Sequence, residues 1–219
     1  MARTERRSRE PHESTAADRP VDLGLERIIF LSDGLFAIAL TVLVIDLRIP
    51  ELPQPAGSDQ VAAALGALLP SVFAYALSFT IISFYWVAHW RRFKLIERAN
   101  AGLAYVNLLL LAFIALIPFP TALIGEHGDI PIVVMVYAVT LSAAGIAGFA
   151  SWVYALRTGL VTADAPNDRV RSGAIRGLSV PMVMLGSLLL LPFASTYLVE
   201  ASWLLILPVQ WLITRRVSR

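Results

Sequence analysis

The segment RIIFLSDGLFAIALTVLVIDL, which runs from Arg27 to Leu47, indicates the fold class most directly. From Ile28 to Leu47 it has 20 residues, and only Asp33 and Asp46 among them are charged. A helix of ~20 apolar residues, rising ~1.5 Å per residue, crosses the ~30 Å hydrocarbon core of a bilayer. The segment lacks the alternation of apolar and polar residues that marks a barrel strand. It therefore predicts a transmembrane α-helix.

Five more apolar stretches follow, and the composition supports the same interpretation for each of them. Of the 219 residues, 57% are hydrophobic and 16% are charged, whereas a soluble domain has roughly 45–50% apolar and 25% charged residues. The stretches are Val61–Ala88, Gly102–Gly125, Ile130–Leu156, Gly177–Leu198 and Ala201–Thr214. The border between the last two is poorly marked, and we place Glu200 in a turn there. The predicted fold is all-α, with six transmembrane helices per chain.

These stretches leave room for one membrane domain and two short tails. We assign residues 25–215 to the six-helix domain, 216–219 to a C-terminal tail and 1–24 to a basic tail that is disordered or amphipathic. The N-terminal tail does not resemble a signal peptide, because the first apolar run starts late and lacks a small-residue cleavage site. The chain has no cysteine, which excludes disulfides and thiolate metal sites.

The lysines and arginines predict how the helices are oriented. The N-terminal segment through Arg27, the second loop, the fourth loop and the C-terminus together hold 17 of the 18 basic residues, and the opposite loops hold only Arg48. Basic residues concentrate on the cytoplasmic side of inner-membrane proteins. We therefore expect an inner-membrane protein with both termini in the cytoplasm.

The polar residues of the first predicted helix point towards a function. Asp33 and Asp46 are the only acidic residues within the six stretches. An ionisable group in the hydrocarbon region costs several kcal/mol and usually faces a bundle interior or water. The same helix also carries Ser32, Gly34 and Thr41. It is therefore the best candidate to line a pathway, although Asp46, one turn from the end, can simply reach the interface.

A group of polar residues is predicted at one depth on the cytoplasmic half. The second helix ends there with Trp86 and His89, and the third begins there with Asn107 one to two turns in. Ser32 and Asp33 lie at a similar depth on the first helix. A carboxylate, an imidazole and an amide can satisfy one another by hydrogen bonding. One His and one Asp fall short of the usual metal-ligand sets, so we expect a structural network and no metal site.

These residues make the sequence similar to the transmembrane protein 175 family of potassium channels. The family signature in the first helix is an Arg, three residues and then Phe-Ser-Asp. Arg27, Ser32 and Asp33 match it, and Leu31 stands where Phe is usual. The resemblance continues in FYWVAHWRRF, which contains Trp86, His89 and Phe93, and in NLLLLAFIALIPFPTALIGE, which starts at Asn107. It covers about residues 25–126, and the last three helices match mainly in hydropathy.

The resemblance implies a potassium-permeable cation channel of the bacterial inner membrane with no cofactor and no carbonyl filter of the TVGYG type. Family members resemble homotetramers whose first helices surround a central pore. Their constriction is a hydrophobic residue five positions after the signature Asp, with apolar layers one and two turns on. These positions correspond to Ile38, Val42 and Ile45, and a selectivity-assisting threonine layer corresponds to Thr41. The implied partners are further copies of the chain, K⁺ and the lipid bilayer, with no nucleic acid.

Helical geometry is consistent with this assignment. At ~100° per residue, one stripe about 80° wide contains the apolar positions: Leu35, Ile38, Val42 and Ile45. Asp33 lies some 160° from the centre of the stripe, as expected of a structural anchor, and Asp46, about 60° off it, can bias the outer mouth towards cations. The proposed structural network comprises Arg27, Ser32, Asp33, Trp86, His89 and Asn107. Alternatively, the apolar residues simply face lipid or protein, as most Ile, Val and Leu in membrane helices do.

Transporters and enzymes are the two alternatives to a channel for a chain of this kind. A secondary transporter also has intramembrane carboxylates, but such proteins tend to have internal repeats and broken helices. The similarity of IPFPTALIGE to LPFASTYLVE is only a slight sign of a repeat. An enzyme would need a nucleophile–base pair, a carboxylate dyad or a metal cluster, and Ser78 and Ser83 have no nearby base. The channel is preferred, the transporter is the alternative, and no catalytic residue is assigned.

The predicted orientation can be tested with reporters. A reporter fused after Arg219 should report the cytoplasm, and reporters inserted at Gly57 or Gly128 should report the external side, because the basic loops stay inside. Labelling of residues 164–173 from outside intact cells would contradict the predicted topology.

Overall fold

The computed structural model describes residues 22–49, 51–52 and 55–217, and within these ranges the protein is built from helices. The α-helices are α1 (Leu23–Val42), α2 (Ser58–Ala67), α3 (Leu69–Phe93), α4 (Ala101–Leu116), α5 (Pro118–His127), α6 (Pro131–Arg157), α7 (Asn167–Leu188), α8 (Thr196–Ser202) and α9 (Ile206–Val217). A 3₁₀ turn, Leu43–Asp46, extends α1, and another, Trp203–Leu205, joins α8 to α9. The predicted all-α class is confirmed for the described part of the chain.

Four of the described helical segments are long and apolar enough to cross a membrane. They are Leu23–Asp46, Leu69–Phe93, Ala101–His127 and Pro131–Arg157. Two shorter apolar helices, Gly177–Leu188 and Thr196–Leu212, correspond to the last two predicted stretches. A multi-pass membrane protein is therefore confirmed, while the fifth and sixth crossings stay a prediction because these helices are shorter than a full span.

The first helix begins within the segment assigned to the N-terminal tail. Asp22 caps it by accepting hydrogen bonds from the amides of Gly24 and Leu25, at 2.8 and 3.1 Å. Its second carboxylate oxygen accepts from the amide of Ala99, at 2.8 Å, in the loop before α4. These amides, Ala99 foremost, hold the pKa of Asp22 below its ordinary value because they stabilise the ionised form. The stabilisation is present above the ordinary carboxyl pKa and is lost as the pH falls. The predicted tail residues 1–21 lie outside the described residues.

Prolines mark the places where the predicted apolar stretches divide into two helices. Pro70 lies in the first turn of α3, directly after the end of α2. The third stretch divides at Ile117, because Pro118 and Pro120 open α5 there. Proline has no N–H to donate and its ring clashes with the preceding turn, so the start of a helix is the position that accommodates it best.

The predicted turn at Glu200 is wrong. Glu200 lies inside α8, and the break between the fifth and sixth stretches lies earlier, in the turns of residues 189–195. Pro192 lies in this segment and cannot continue a helix from the residues before it. Hydropathy does not detect such a break, because the residues around Pro192 are as apolar as those of the helices.

The core is organised around small residues on α6. Ala138, Ala144, Gly145, Ala147 and Gly148 are buried along this helix, which packs against α4 on one side and α7 on the other. A side chain at Gly145 would collide with Pro181 of α7 and with the hydroxyl of Tyr85. Small residues at such contacts let membrane helices approach closely. Large side chains fill the centre of the bundle beside them: Phe36, Ile81, Leu111, Tyr137 and Trp203.

Arg92 at the end of α3 is buried, although the sequence suggested only a loop charge. Its Nη1 donates to the carbonyl of Gly148 on α6, at 2.7 Å, and its Nη2 and Nε donate to the carbonyl of Gly173 on α7, at 2.8 and 3.1 Å. A buried charge is costly unless it is hydrogen-bonded, and these carbonyls satisfy the guanidinium. Arg92 thereby joins α3 to α6 and α7.

Gly177 is predicted to be essential to this junction. A methyl group at Gly177 would overlap the Arg92 guanidinium, so Gly177→Ala should break at least one charged hydrogen bond and lower the free energy of unfolding by about 1–3 kcal/mol. The measurement is thermal unfolding of the purified protein in detergent.

Gly186→Ala is the matched control on the same helix. Nothing lies within 4 Å of the added methyl group at Gly186, so this variant should be neutral or gain up to about 1 kcal/mol from helix propensity. Equal stability of the two variants would contradict the role assigned to Arg92.

Candidate functional site

One face of α1 is buried in the bundle and the opposite face is exposed. The buried residues recur every three or four positions, as expected of a single helical face: Ser32, Phe36, Ala39 and Leu43. The exposed face carries Gly34, Ala37, Ile38, Thr41 and Ile45. Ile38 is 63% exposed and Ile45 is 61% exposed. An apolar helix therefore presents a row of small, polar and branched residues that the described residues leave exposed.

The predicted apolar stripe does not have uniform exposure. Ile38 and Ile45 lie on the exposed face, whereas Val42 is half-buried and Leu35 packs against the larger core cluster. At ~100° per residue, Leu35 and Val42 lie between the exposed and buried faces. The middle of the exposed face is close to Thr41. Burial thus distinguishes the exposed pair, Ile38 and Ile45, from the partly buried pair, Leu35 and Val42, although helical periodicity alone places all four in one stripe.

Thr41 and Asp46 are the polar groups towards the far end of this segment. The Thr41 hydroxyl donates to the carbonyl of Ile38, at 2.8 Å, so its oxygen lone pairs remain available on the exposed face. Asp46 ends the 3₁₀ turn and is half-buried.

A hydrogen-bonded group joins the buried face of α1 to α3 and α4. Asn107 of α4 is 1% exposed, and its amide nitrogen donates to the Ser32 hydroxyl at 3.0 Å. The Asn107 oxygen lies 2.9 Å from Nε2 of His89 on α3. Because an amide oxygen only accepts, His89 carries a proton on Nε2. The Ser32 hydroxyl donates in turn to the carbonyl of Ile28, at 2.7 Å.

Aromatic rings enclose His89 in this group. The imidazole stacks on Phe93, with centroids 4.1 Å apart, and lies 5.7 Å from the ring of Phe36. The side chain of His89 is 4% exposed. The polar group is therefore sealed from solvent, and each hydrogen bond must be made within the protein.

Asp33 has a different partner from the one that its depth suggested. Its Oδ1 accepts from Nε1 of Trp86 on α3, at 2.9 Å, at an exposed position. Asp33 follows Ser32 and is rotated by ~100° around the helix, so it faces α3 while Ser32 faces α4. Arg27 is also exposed and makes no side-chain hydrogen bond to any residue that the structure describes. The residues assigned to one network thus form two separate contacts, with Arg27 outside both.

A groove runs along the exposed side of α1 next to α4. Its volume is about 1080 Å³, and it extends from the start of α1 to Ile38. Its lining includes Arg27, Phe30, Gly34, Ile38, Ala104 and Leu108. Phe30 is 83% exposed, so a large apolar surface is open beside the helix.

A second buried polar group was not predicted. The Ser78 hydroxyl lies 2.8 Å from the Thr121 hydroxyl and 2.8 Å from the Tyr137 hydroxyl, and it links α3, α5 and α6. The sequence suggested only that Ser78 lacked a base. The sequence could not predict this group, because each of the three apolar segments contributes a single hydroxyl and the group forms only when the segments meet in the fold. Across residues 22–49, 51–52 and 55–217, no three His, Asp or Glu side chains are close enough to hold a metal ion.

The sequence is similar to known channel proteins. The family model described as endosomal/lysosomal potassium channel TMEM175 matches residues 27–118. A potassium channel of Streptomyces collinus is 36% identical over 150 residues, which are 65% of this chain and 71% of that protein. A potassium channel of Chamaesiphon minutus is 37% identical over 134 residues, which are 59% of this chain and 64% of that protein.

The fold agrees with these similarities. The crystal structure of a lysosomal potassium-selective channel TMEM175 homolog from Chamaesiphon minutus superposes with a TM-score of 0.71 at 28% identity, and the match covers 90% of this chain and 99% of that one. The matched family segment contains α3, α4 and the part of α1 from Arg27 onwards, and these helices carry the residues of the site. The predicted resemblance is confirmed, and the chain belongs to the TMEM175 family.

Proposed function

We propose that the protein is a potassium-permeable cation channel of the bacterial inner membrane, in which α1 from each of four copies surrounds the pore. Relatives that are named potassium channels support the permeant ion. The observation that carries the proposal is the exposed face of α1, because this helix is apolar enough to span the membrane and yet the described residues of one chain cover little of its surface.

The burial of the long helices supports α1 as the helix at the pore. Only 22% of its most apolar window is buried, compared with 56% for Pro131–Arg157. The uncovered face combines Gly34, Ala37 and Thr41 with Ile38 and Ile45. Small and polar residues are typical of membrane helix faces that contact protein or water. Such a face fits a pore axis better than a lipid contact.

The constriction is assigned to Ile38, with Ile45 as an outer ring two turns on. Thr41 lies between these rings, and Val42 and Leu35 flank the face and contribute less than Ile38. A narrow apolar neck disfavours a continuous water column and removes part of the hydration shell of an ion. Asp46, near the outer end, would raise the local cation concentration by its charge. K⁺ is the permeant ion, and no cofactor is needed for passive conduction.

The Ser32–Asn107–His89 group is proposed to hold α1 at the rotation that directs Ile38 to the pore. Hydrogen bonds are directional, whereas apolar contacts allow a helix to rotate with little penalty. The three side chains come from α1, α4 and α3. Loss of one member leaves buried partners unsatisfied. The Asp33–Trp86 contact adds a second, more exposed connection to α3.

Replacement of Ile38 tests the constriction. Ile38→Asn should wet the neck, raise both potassium and sodium conductance several-fold and move the reversal potential in a potassium/sodium gradient towards zero, because a polar ring no longer excludes water. The measurement is current and reversal potential in planar bilayers, with the unsubstituted protein passing uncoupled potassium current. Saturating flux that follows a co-ion would instead favour a transporter.

Ile146→Asn is the control for this test. Ile146 is 46% exposed on α6, outside the α1 face, and its replacement introduces the same polar group. It should leave the reversal potential unchanged. Unchanged conductance in Ile38→Asn, or equal changes in both variants, would remove Ile38 from the pore.

Asn107 and Asp33 should differ in their effect on stability. Asn107→Leu leaves the buried Nε2–H of His89 without its acceptor, whereas Ser32 keeps its hydrogen bond to the Ile28 carbonyl. The variant should cost about 1–3 kcal/mol, with loss of assembled oligomer. Asp33→Ala should cost less than about 1 kcal/mol, because Trp86 is 38% exposed and can find another acceptor. Thermal unfolding and size-exclusion chromatography of both variants measure the difference. A larger loss in Asp33→Ala would make Asp33 the main anchor.

A further inference from the structure

A second groove, unrelated to the α1 face, separates α3 from α9. Both helices pack against α7, and the space between them has a volume of about 330 Å³. Its lining is Phe84, Val87, Ala88 and Arg91 from α3, and Leu207, Gln210 and Trp211 from α9. The α3 residues have the spacing of one helical face, as do the α9 residues. The groove is therefore formed by two facing helix stripes.

The chemistry of this groove changes along its length. Phe84, Val87 and Leu207 make one part apolar, and Arg91, two residues before the end of α3, lies at the other end. On α9, the guanidinium of Arg215 stacks on the Trp211 ring, 3.6 Å from its centroid. Both arginines are exposed. The groove is thus apolar along most of its length and positively charged at one end.

Arg91 is the charged residue in the described lining of the groove. No acidic side chain contributes to the described lining, and Arg91 forms no ion pair with a residue in the described ranges. The aromatic residues Trp90 and Trp211 lie at the same helix ends as the arginines, as is typical of the membrane–water interface. The arginine distribution predicts that this end faces the cytoplasm, where the membrane surface is rich in anionic lipid.

We propose that this groove binds one anionic phospholipid of the cytoplasmic leaflet. An acyl chain lies along Phe84, Val87 and Leu207, and the headgroup phosphate pairs with Arg91 and Arg215. A guanidinium suits a phosphate because it donates two parallel hydrogen bonds. The groove is open at the surface and has apolar walls, so a two-part ligand with a hydrocarbon tail and an anionic head is complementary to both of its parts.

Native mass spectrometry of the purified protein tests the site. Added phosphatidylglycerol should give a saturable one-per-chain adduct, and phosphatidylcholine should not. The double variant Arg91→Gln/Arg215→Gln should weaken the adduct about 25-fold, since one basic residue near the surface is worth about fivefold in affinity. The assay measures binding alone, so its result does not depend on conduction.

The matched control is Arg98→Gln/Arg157→Gln, which removes the same charge from two other exposed positions. It should keep the adduct within about twofold of the unsubstituted protein, because its arginines lie outside the groove. Equal binding of the two lipids by the unsubstituted protein, or equal losses in the two double variants, would overturn the site. Displacement of the lipid by an equal concentration of inorganic phosphate would show a simple anion site and overturn the lipid assignment.

Discussion

An amide group buried in an apolar bundle must find its hydrogen bonds within the protein, and Asn107 meets this constraint at the meeting point of three helices. Its nitrogen donates a hydrogen bond to Ser32 of α1, and its oxygen accepts one from His89 of α3. Water is not available to replace either partner at 1% exposure. The bond to His89 fixes the Asn107 amide, and Ser32 reaches that amide only when α1 is rotated so that Ser32 faces α4. The Ser32–Asn107 hydrogen bond on the buried face of α1 therefore determines which face of α1 is exposed.

The packing of the other helices keeps Asn107 and its partners in register. Small residues on α6 bring α4 and α7 close, and the Arg92 guanidinium binds α3 to the carbonyls of Gly148 and Gly173. These contacts position α3 and α4, the helices that supply His89 and Asn107. Apolar packing alone would tolerate small shifts, whereas each hydrogen bond fails within a fraction of an ångström. The buried polar side chains thus specify one arrangement of a mostly apolar core.

The two open surfaces of the chain differ in chemistry, and the difference fits two kinds of partner. The α1 face offers Gly34, Thr41 and Ile38, and this mixture of small, polar and apolar residues suits an axis where copies of one helix meet around an ion path. The α3–α9 groove pairs apolar walls with Arg91 and Arg215 at one end, which matches the surface of a bilayer. Both proposals depend on side chains that the described residues of a single chain leave exposed.

The sequence by itself determined the membrane class, the first four apolar helices and the family, because hydropathy over ~20 residues and a short polar motif are local properties. It also identified Ser32, His89 and Asn107 as residues of similar depth, since helix rise fixes depth along the membrane. It did not reveal the break at Pro192, because the surrounding residues stay apolar. Only the tertiary structure decided that Asp33 bonds Trp86, that Arg92 is buried and that Val42 lies beside the exposed face. Those results depend on how each helix is rotated against its neighbours, and that rotation is fixed by contacts between residues far apart in the chain.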